Sequence, residues 1–139
     1  MTVGLLIVTH DQIGETLLRT ATRMLNEMPL RARVLSVSLD ANPDALLEQA
    51  CIQTERLDDG DGVLVLTDMY GSTPSNIACG LTSPGQVHVI SGINLPMLIR
   101  TLNYASLDLE AMTEKAISGG KEGIFCCTLK EQAYPHAEP

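Results

Sequence analysis

The chain has 139 residues, of which 45% are hydrophobic and 19% charged, a mixture typical of one globular domain and not of disordered or collagen-like chains. Its 17 acidic and 9 basic residues give a net charge of −8, which argues against nucleic acid and against an anionic membrane surface as partners. No apolar run approaches the roughly 18 residues of a membrane span, so we expect a cytoplasmic protein without membrane insertion.

Short apolar runs alternate with segments of helical periodicity along the chain. The predicted strands cover residues 3–9, 33–39, 62–67 and 86–91, with a fifth over residues 122–129. The predicted helices cover residues 12–27, 43–57, 74–81, 96–102 and 107–118. Asn42 is the predicted N-cap of the second, with Pro43 in its first position, and Gly119 and Gly120 stop the last. Because strands alternate with helices, we predict an α/β fold: a doubly wound parallel sheet with helices on both faces.

The predicted domain covers residues 1–129, and the polar residues 130–139, with two prolines, are predicted to be a loose tail. The four cysteines show neither a CxxC motif nor metal-ligand spacing to a histidine; they are Cys51, Cys79, Cys126 and Cys127. We interpret them as reduced thiols that mostly fill the core, and we predict neither a metal site nor a cofactor.

Two polar residues follow the first and third predicted strands. In an open parallel sheet the ligand lies beyond the carboxyl ends of the strands, where the strand order reverses. If these strands are neighbours there, His10 and Asp68 face one crevice. A carboxylate bonded to one imidazole nitrogen leaves the other free as a nucleophile, so we predict that both residues are catalytic. Either residue alone is as well explained by a turn or a helix cap.

Gly71, Ser72 and Thr73 lie between the third strand and the next helix. Small residues expose main-chain N–H groups, hydroxyls donate hydrogen bonds, and a helix N-terminus adds partial positive charge, which together predict a site for one phosphoryl group. The simpler interpretation is a loop with Thr73 as N-cap and Pro74 at the first helical position. The two interpretations are compatible. A Walker pattern is absent, which argues against a nucleoside triphosphate.

Three segments of the chain resemble the IIA domain of the mannose-type sugar phosphotransferase system. They are Thr9-His10, Asp68-Met-Tyr-Gly-Ser-Thr-Pro-Ser-Asn76 and Gly92-Ile-Asn-Leu-Pro-Met-Leu98, and the resemblance extends from residue 2 to about residue 129. It implies a four-stranded parallel sheet in the order 2-1-3-4. It also implies that the fifth strand, residues 122–129, is antiparallel and exchanged between the subunits of a homodimer.

The resemblance implies a chemistry as well. His10 would accept a phosphoryl group from the phosphocarrier protein HPr and pass it to a IIB protein, expected here to be a separate chain. Asp68 would orient the imidazole so that Nε2 attacks. Gly71, Ser72 and Thr73 would surround the phosphoryl group, while Tyr70 and Asn94 are predicted pocket or partner contacts.

Three alternatives remain open at this point. The first is a regulatory IIA protein whose phosphorylation state other proteins sense. The second is the related phosphotransfer subunit of dihydroxyacetone kinase, against which the Pro74 loop and residues 92–98 favour the mannose type. The third is a flavodoxin-like binding module, but the loop after the first strand lacks the small hydroxyl residues that cradle a flavin phosphate.

Overall fold

A computed structural model describes residues 2–128 of the chain. The strands are β1 (Gly4–His10), β2 (Ala32–Val37), β3 (Val63–Thr67) and β4 (Val87–Ser91). The helices are α1 (Ile13–Leu25), α2 (Pro43–Leu57), α3 (Thr73–Cys79), α4 (Leu95–Asn103) and α5 (Leu109–Glu122). The strands are parallel and lie in the order β2-β1-β3-β4, which confirms the predicted α/β fold and strand order.

Strands β1 and β3 form the middle of the sheet and are buried on both faces. Leu5 and Ile7 of β1 pack toward α1, α4 and α5, while Leu6 and Val8 pack toward α2 and α3. Burying one such side chain contributes about 1.5–3 kcal/mol, so both central strands are firmly held. Their carboxyl ends are therefore a rigid support.

Among the helices described here, none combines the length and apolarity needed to cross a bilayer.

The helix starts follow the cap residues in the sequence. The Asn42 side chain accepts hydrogen bonds from the main-chain N–H groups of Asp44 and Ala45, which confirms it as the N-cap of α2 with Pro43 in the first position. At α3 the start lies one residue earlier than predicted. Ser72 is the N-cap, because its carbonyl accepts the first helical hydrogen bond from Asn76 at 2.9 Å.

The glycine pair near the end of α5 does not stop the helix, which continues to Glu122. A Cβ atom on Gly119 would lie 2.5 Å from the Arg100 Cβ, and one on Gly120 would lie 2.9 Å from the Met97 Cε. The Arg100 Cβ is held by its own helix and leaves no room for a side chain at Gly119, whereas the Met97 Cε is the mobile end of its side chain; Gly119 therefore lets α4 and α5 approach closely. The predicted stop at these residues is wrong because packing, not helix termination, requires glycine here.

Within residues 2–128 the predicted fifth strand is not formed. Glu122 is the last residue of α5, and the N–H groups of Gly123 and Ile124 donate back to the carbonyls of Gly119 and Lys121. These turn bonds replace sheet bonds, and residues 123–128 contain no strand. Leu129 and the predicted tail, residues 130–139, lie outside the described residues.

The cysteines are exposed, so the prediction that they mostly fill the core is wrong. Cys51 lies on the side of α2 opposite the residues that pack on the sheet, such as Leu46 and Ala50. Cys79 ends the short helix α3, and Cys126 and Cys127 follow α5. Apolar character alone did not indicate which face of each segment carries the thiol.

Candidate functional site

His10 and Asp68 form a close pair at the carboxyl edge of the sheet. His10 is the last residue of β1, and Asp68 directly follows the neighbouring strand β3. The Asp68 Oδ2 atom lies 2.8 Å from His10 Nδ1 and also accepts a hydrogen bond from the His10 main-chain nitrogen at 2.9 Å. The strand order thus brings together the two residues predicted to be catalytic, which are 58 positions apart in sequence.

Asp68 is held as a carboxylate by three N–H donors. Its second oxygen, Oδ1, accepts the main-chain N–H of Met69 at 2.9 Å. Burial raises the pKa of the Asp68 carboxyl, but the hydrogen bonds from the His10 main chain, the His10 ring and Met69 together outweigh burial. The pKa therefore lies below its ordinary value of 3.8.

The pair defines the reactive nitrogen of His10. An ionised carboxylate only accepts hydrogen bonds, so in the neutral ring Nδ1 carries the hydrogen and Nε2 keeps the lone pair. The His10 side chain is 33% exposed and that of Asp68 is 13% exposed, so the imidazole faces solvent more than the carboxylate that orients it. This arrangement suits a nucleophilic histidine that receives a group from outside.

A tight turn after β1 positions His10, and the sequence analysis did not identify its parts. The buried Thr9 hydroxyl accepts the Gly14 N–H at 2.8 Å and donates to the His10 carbonyl at 3.3 Å. Asp11 has φ +43°, in the left-handed region, and its N–H donates to the Val37 carbonyl at 3.0 Å. A Cβ on Gly14 would lie 2.6 Å from Ile7 Cγ2, which indicates why glycine occurs there.

The loop after β4 holds the main chain at Asp68. Gly92 has φ +89°, a conformation that glycine adopts at low cost, and its N–H donates to the Asp68 carbonyl at 2.7 Å. The next residue, Ile93, donates its N–H to the Thr67 carbonyl at 3.0 Å. The hydrogen bond to Asp68 adds a role that could not be read from one loop alone.

The loop predicted to surround a phosphoryl group lies beside the pair, between Asp68 and α3, and α3 packs on β1. Gly71 has φ +86° and donates its N–H to the Ser75 hydroxyl at 3.3 Å. Ser72 donates its hydroxyl hydrogen to the Met69 carbonyl at 2.5 Å, and this hydrogen is therefore already bonded within the loop. Within residues 2–128 the N–H and hydroxyl of the exposed Thr73 have no partner.

The two predicted contact residues differ in their surroundings. Asn94 caps α4 by accepting the Met97 N–H at 2.8 Å and donates its side-chain N–H to the Gly120 carbonyl at 3.1 Å, so it ties α4 to α5. It also lines a cavity of about 390 Å³ between β4, α4 and α5, whose mouth includes Ile124. Tyr70, in contrast, is 79% exposed and follows Asp68 by two residues.

The rim of the site is apolar and acidic. We use the term carboxyl-edge loops for residues 11–12, 38–42, 68–72 and 92–94, which follow the four strands. They contain three aspartates, Asp11, Asp40 and Asp68, and neither lysine nor arginine. Four large apolar side chains in or beside these loops are exposed: Ile13, Leu39, Met69 and Tyr70. In the described part of the chain, no cluster of three His, Cys, Asp or Glu side chains is placed to hold a metal ion.

The chain is similar to known proteins over most of its length. Residues 4–117 match the family EIIA-man, described as the PTS system fructose IIA component. The chain is 33% identical over 140 residues to the mannose-specific EIIAB component of the PTS system from Escherichia coli (strain K12). The alignment covers 97% of this chain but 43% of that protein, so the chain spans less than half the length of this relative.

Two further similarities bear on fold and function. The mannose/sorbose specific IIA subunit of the phosphotransferase system from Enterococcus faecalis superposes with a TM-score of 0.82 at 21% identity, covering 96% of this chain and all (100%) of that one. This likeness shows a shared fold. The chain is also 25% identical over 114 residues to the transcriptional regulatory protein LevR of Bacillus subtilis (strain 168), covering 79% of this chain and 12% of that protein.

Proposed function

The chain belongs to the mannose-type IIA family of the sugar phosphotransferase system, and on that premise we propose that His10 accepts a phosphoryl group from the phosphocarrier protein HPr and passes it to a IIB protein. The observation that carries this proposal is the 2.8 Å contact between His10 Nδ1 and Asp68 Oδ2. It fixes the imidazole with Nε2 free at a solvent-facing edge of the sheet.

The proposed step is an in-line transfer between two nitrogens. The Nε2 lone pair of His10 forms a bond to phosphorus while the bond from phosphorus to the donor histidine nitrogen breaks and its electron pair stays on the donor ring. The hydrogen on Nδ1 remains in the hydrogen bond to Asp68, which stabilises positive charge developing on the ring. In the second transfer a IIB side chain attacks the phosphorus, the bond from phosphorus to His10 Nε2 breaks, and its electron pair returns to the His10 ring. Catalysis is then mostly positioning of donor and acceptor.

Thr73 is the loop residue best suited to contact the phosphoryl oxygens. Its N–H and hydroxyl lack partners within the described residues, while the Ser72 hydroxyl already donates to the Met69 carbonyl. Gly71, with its left-handed φ, shapes the loop that leads from Asp68 to Thr73. We therefore propose that Gly71 and Ser72 form the loop and that Thr73 donates to the bound group.

The exposed apolar rim suits transient docking of protein partners. Ile13, Met69 and Tyr70 are 47%, 64% and 79% exposed around the catalytic pair. Aromatic and methionine side chains are frequent in protein interfaces. The acidic residues of the carboxyl-edge loops favour a partner that is basic around its own reactive histidine.

The homodimer predicted from the resemblance is part of the proposal. Strand β4 lies at one edge of the sheet, and the cavity between β4, α4 and α5 runs along Val89, Ile90 and Ser91. We propose that residues 124–129 of a second copy pair with β4 there and cover this edge. A chain truncated after Gly123 should then be monomeric in sedimentation experiments at concentrations where the full chain is a dimer. A truncated chain that stays dimeric would contradict the exchanged strand.

The function is tested by mass measurement after incubation of the full chain with phosphoenolpyruvate, enzyme I and HPr. We expect the wild-type chain to gain one acid-labile phosphoryl group and His10→Ala to gain none, with both variants equally folded by circular dichroism. A gain that persists in His10→Ala would assign the chemistry to another residue. No gain in the wild type with HPr from the same organism would favour the dihydroxyacetone kinase subunit or a binding module.

A regulatory role is the second candidate, because the similarity to LevR extends over 79% of this chain. The two roles differ in the fate of the phosphoryl group. Addition of purified IIB proteins from the same organism should discharge phospho-His10 within seconds if the chain serves a transport relay. A phosphoryl group that stays on the chain in the presence of every IIB protein tested would favour regulation.

A further inference from the structure

Asp11 is held beside the reactive histidine in a fixed conformation. It directly follows His10, has φ +43°, and donates its N–H to the Val37 carbonyl at 3.0 Å. The following residue, Gln12, begins the hydrogen bonding of α1 by accepting the Thr16 N–H at 2.9 Å. Aspartate tolerates the left-handed region better than most residues other than glycine. The side chain therefore stands on a turn that is anchored on both sides.

The charge on Asp11 is not neutralised by its surroundings. Asp68 accepts three hydrogen bonds from N–H groups, whereas within residues 2–128 the exposed Asp11 carboxylate forms neither an ion pair nor a hydrogen bond. The carboxyl-edge loops contain neither lysine nor arginine. A phosphoryl group on His10 would thus lie next to an unpaired negative charge, and the carboxyl-edge loops supply no cation to compensate it.

We propose that Asp11 sets the phosphoryl-transfer potential of His10. The inference rests on the proposed function and adds a residue to it. The phosphoryl group carries a charge between about −1.5 and −2 at neutral pH, and the neighbouring carboxylate repels it. The repulsion raises the free energy of the phosphorylated chain, so charging by HPr is less favourable and discharge to the acceptor is more favourable. Asp11 acts through its charge, and within residues 2–128 its side chain forms neither a hydrogen bond nor an ion pair with His10.

The size of the effect follows from Coulomb's law. For charges about 8 Å apart in a medium like water, screened at 20 mM ionic strength, the repulsion changes an equilibrium constant by about threefold. At 0.5 M salt the Debye length is only about half that distance, and the change falls below about 1.5-fold. A purely conformational effect of the residue would show no such salt dependence.

The test measures the equilibrium constant for phosphoryl transfer from purified phospho-HPr to the full chain, from the phosphorylated fractions found by intact-mass spectrometry. Asp11→Asn removes the charge and keeps a residue that tolerates the left-handed turn. Asp11→Gly removes the charge and the backbone strain together. We expect both variants to raise the constant about threefold at 20 mM salt and less than about 1.5-fold at 0.5 M. Asp61→Asn, an exposed aspartate before β3 at the opposite end of the sheet, should leave it unchanged.

The outcomes separate this inference from the proposed function. If the wild-type chain takes no phosphoryl group from HPr, the proposed function fails and the role of Asp11 fails with it. If the wild type is phosphorylated but Asp11→Asn has the same constant, only the role of Asp11 is overturned. If only Asp11→Gly changes the equilibrium constant, or if the change is equally large at 0.5 M salt, the effect comes from the backbone of the turn. Either result would also overturn the role of the Asp11 charge.

Discussion

One carboxylate oxygen of Asp68 contacts both nitrogen atoms of His10 that lie nearest to it, Nδ1 at 2.8 Å and the main-chain nitrogen at 2.9 Å. The main-chain contact holds Oδ2 beside the His10 backbone, so the ring keeps its own contact with Oδ2 in only one orientation. A carboxylate that bonded only the ring could move together with it, and the position of Nε2 would then be less well defined. The pair therefore specifies both the tautomer and the direction of the nucleophile.

Replacing Asp68 by Asn should slow phosphoryl transfer to His10. The amide is neutral, and whichever way it is turned it loses at least one of the three N–H contacts of the carboxylate. Hydrogen bonds to a charged group contribute about 1.5–3 kcal/mol, so the rate should fall about 10- to 100-fold. Rapid-quench measurement of transfer from phospho-HPr checks this, with Asp61→Asn, at the opposite end of the sheet, as a control. Transfer at the wild-type rate would remove Asp68 from the mechanism.

Acid should remove the stabilisation that Asp68 provides. Its pKa in the folded chain lies below 3.8, so near that pH the unfolded chain binds more protons and stability rises with pH. The contribution is complete above the unfolded pKa and is lost as the pH falls through the folded pKa. The difference in unfolding free energy between wild type and Asp68→Asn should therefore shrink between pH 5 and about pH 3, as measured by urea titration. A difference that stays constant over this range would contradict a lowered pKa of Asp68 in the folded chain.

Thr73 and Ser72 should respond differently to loss of the hydroxyl. Thr73→Val keeps the shape of a side chain that has no partner in the described chain, so stability should hold while the rate of phosphoryl acceptance falls by about 10- to 100-fold, as for one hydrogen bond to a charged group. Ser72→Ala removes the bond to the Met69 carbonyl and should lower the melting temperature. Thermal unfolding and transfer rates on both variants separate the roles. Equal rates in Thr73→Val and wild type would argue against a phosphoryl contact.

Gly119→Ala should destabilise the chain although alanine is the better helix former. The new Cβ would lie 2.5 Å from the Arg100 Cβ, and overpacking of this kind costs about 1–3 kcal/mol. The gain in helix propensity is about 1 kcal/mol, so the net loss should be up to about 2 kcal/mol. Chemical denaturation measures it, with Lys121→Ala on the exposed side of α5 as control. A Gly119→Ala chain more stable than wild type would mean that α4 and α5 separate at little cost.

Local patterns in the sequence were sufficient for the sheet and for the central pair. The apolar runs of β1 and β3, the Asn42 cap and the placement of His10 and Asp68 after neighbouring strands all depend on short stretches of sequence. Each of these features is decided by its own residues and by the rule that parallel strands end at one edge.

Features that depend on distant contacts could not be predicted in this way. Gly119 looked like a helix stop because its neighbours on α4 are nearly 20 positions away. The left-handed turn at Asp11 depends on the carbonyl of Val37 in another strand. The apolar run after Gly123 suggested a strand, yet a strand needs a partner for its main chain, and none is provided within the described residues of one chain.

The apolar rim of Ile13, Met69 and Tyr70 has a kinetic consequence. A carrier whose donor and acceptor bind at the same edge must release one before it binds the other. Its turnover is therefore limited by the dissociation rate of each complex. A few exposed side chains bury little area, and small interfaces dissociate quickly. The modest size of this rim would thus keep residence times short, with the acidic loops speeding the arrival of the next molecule.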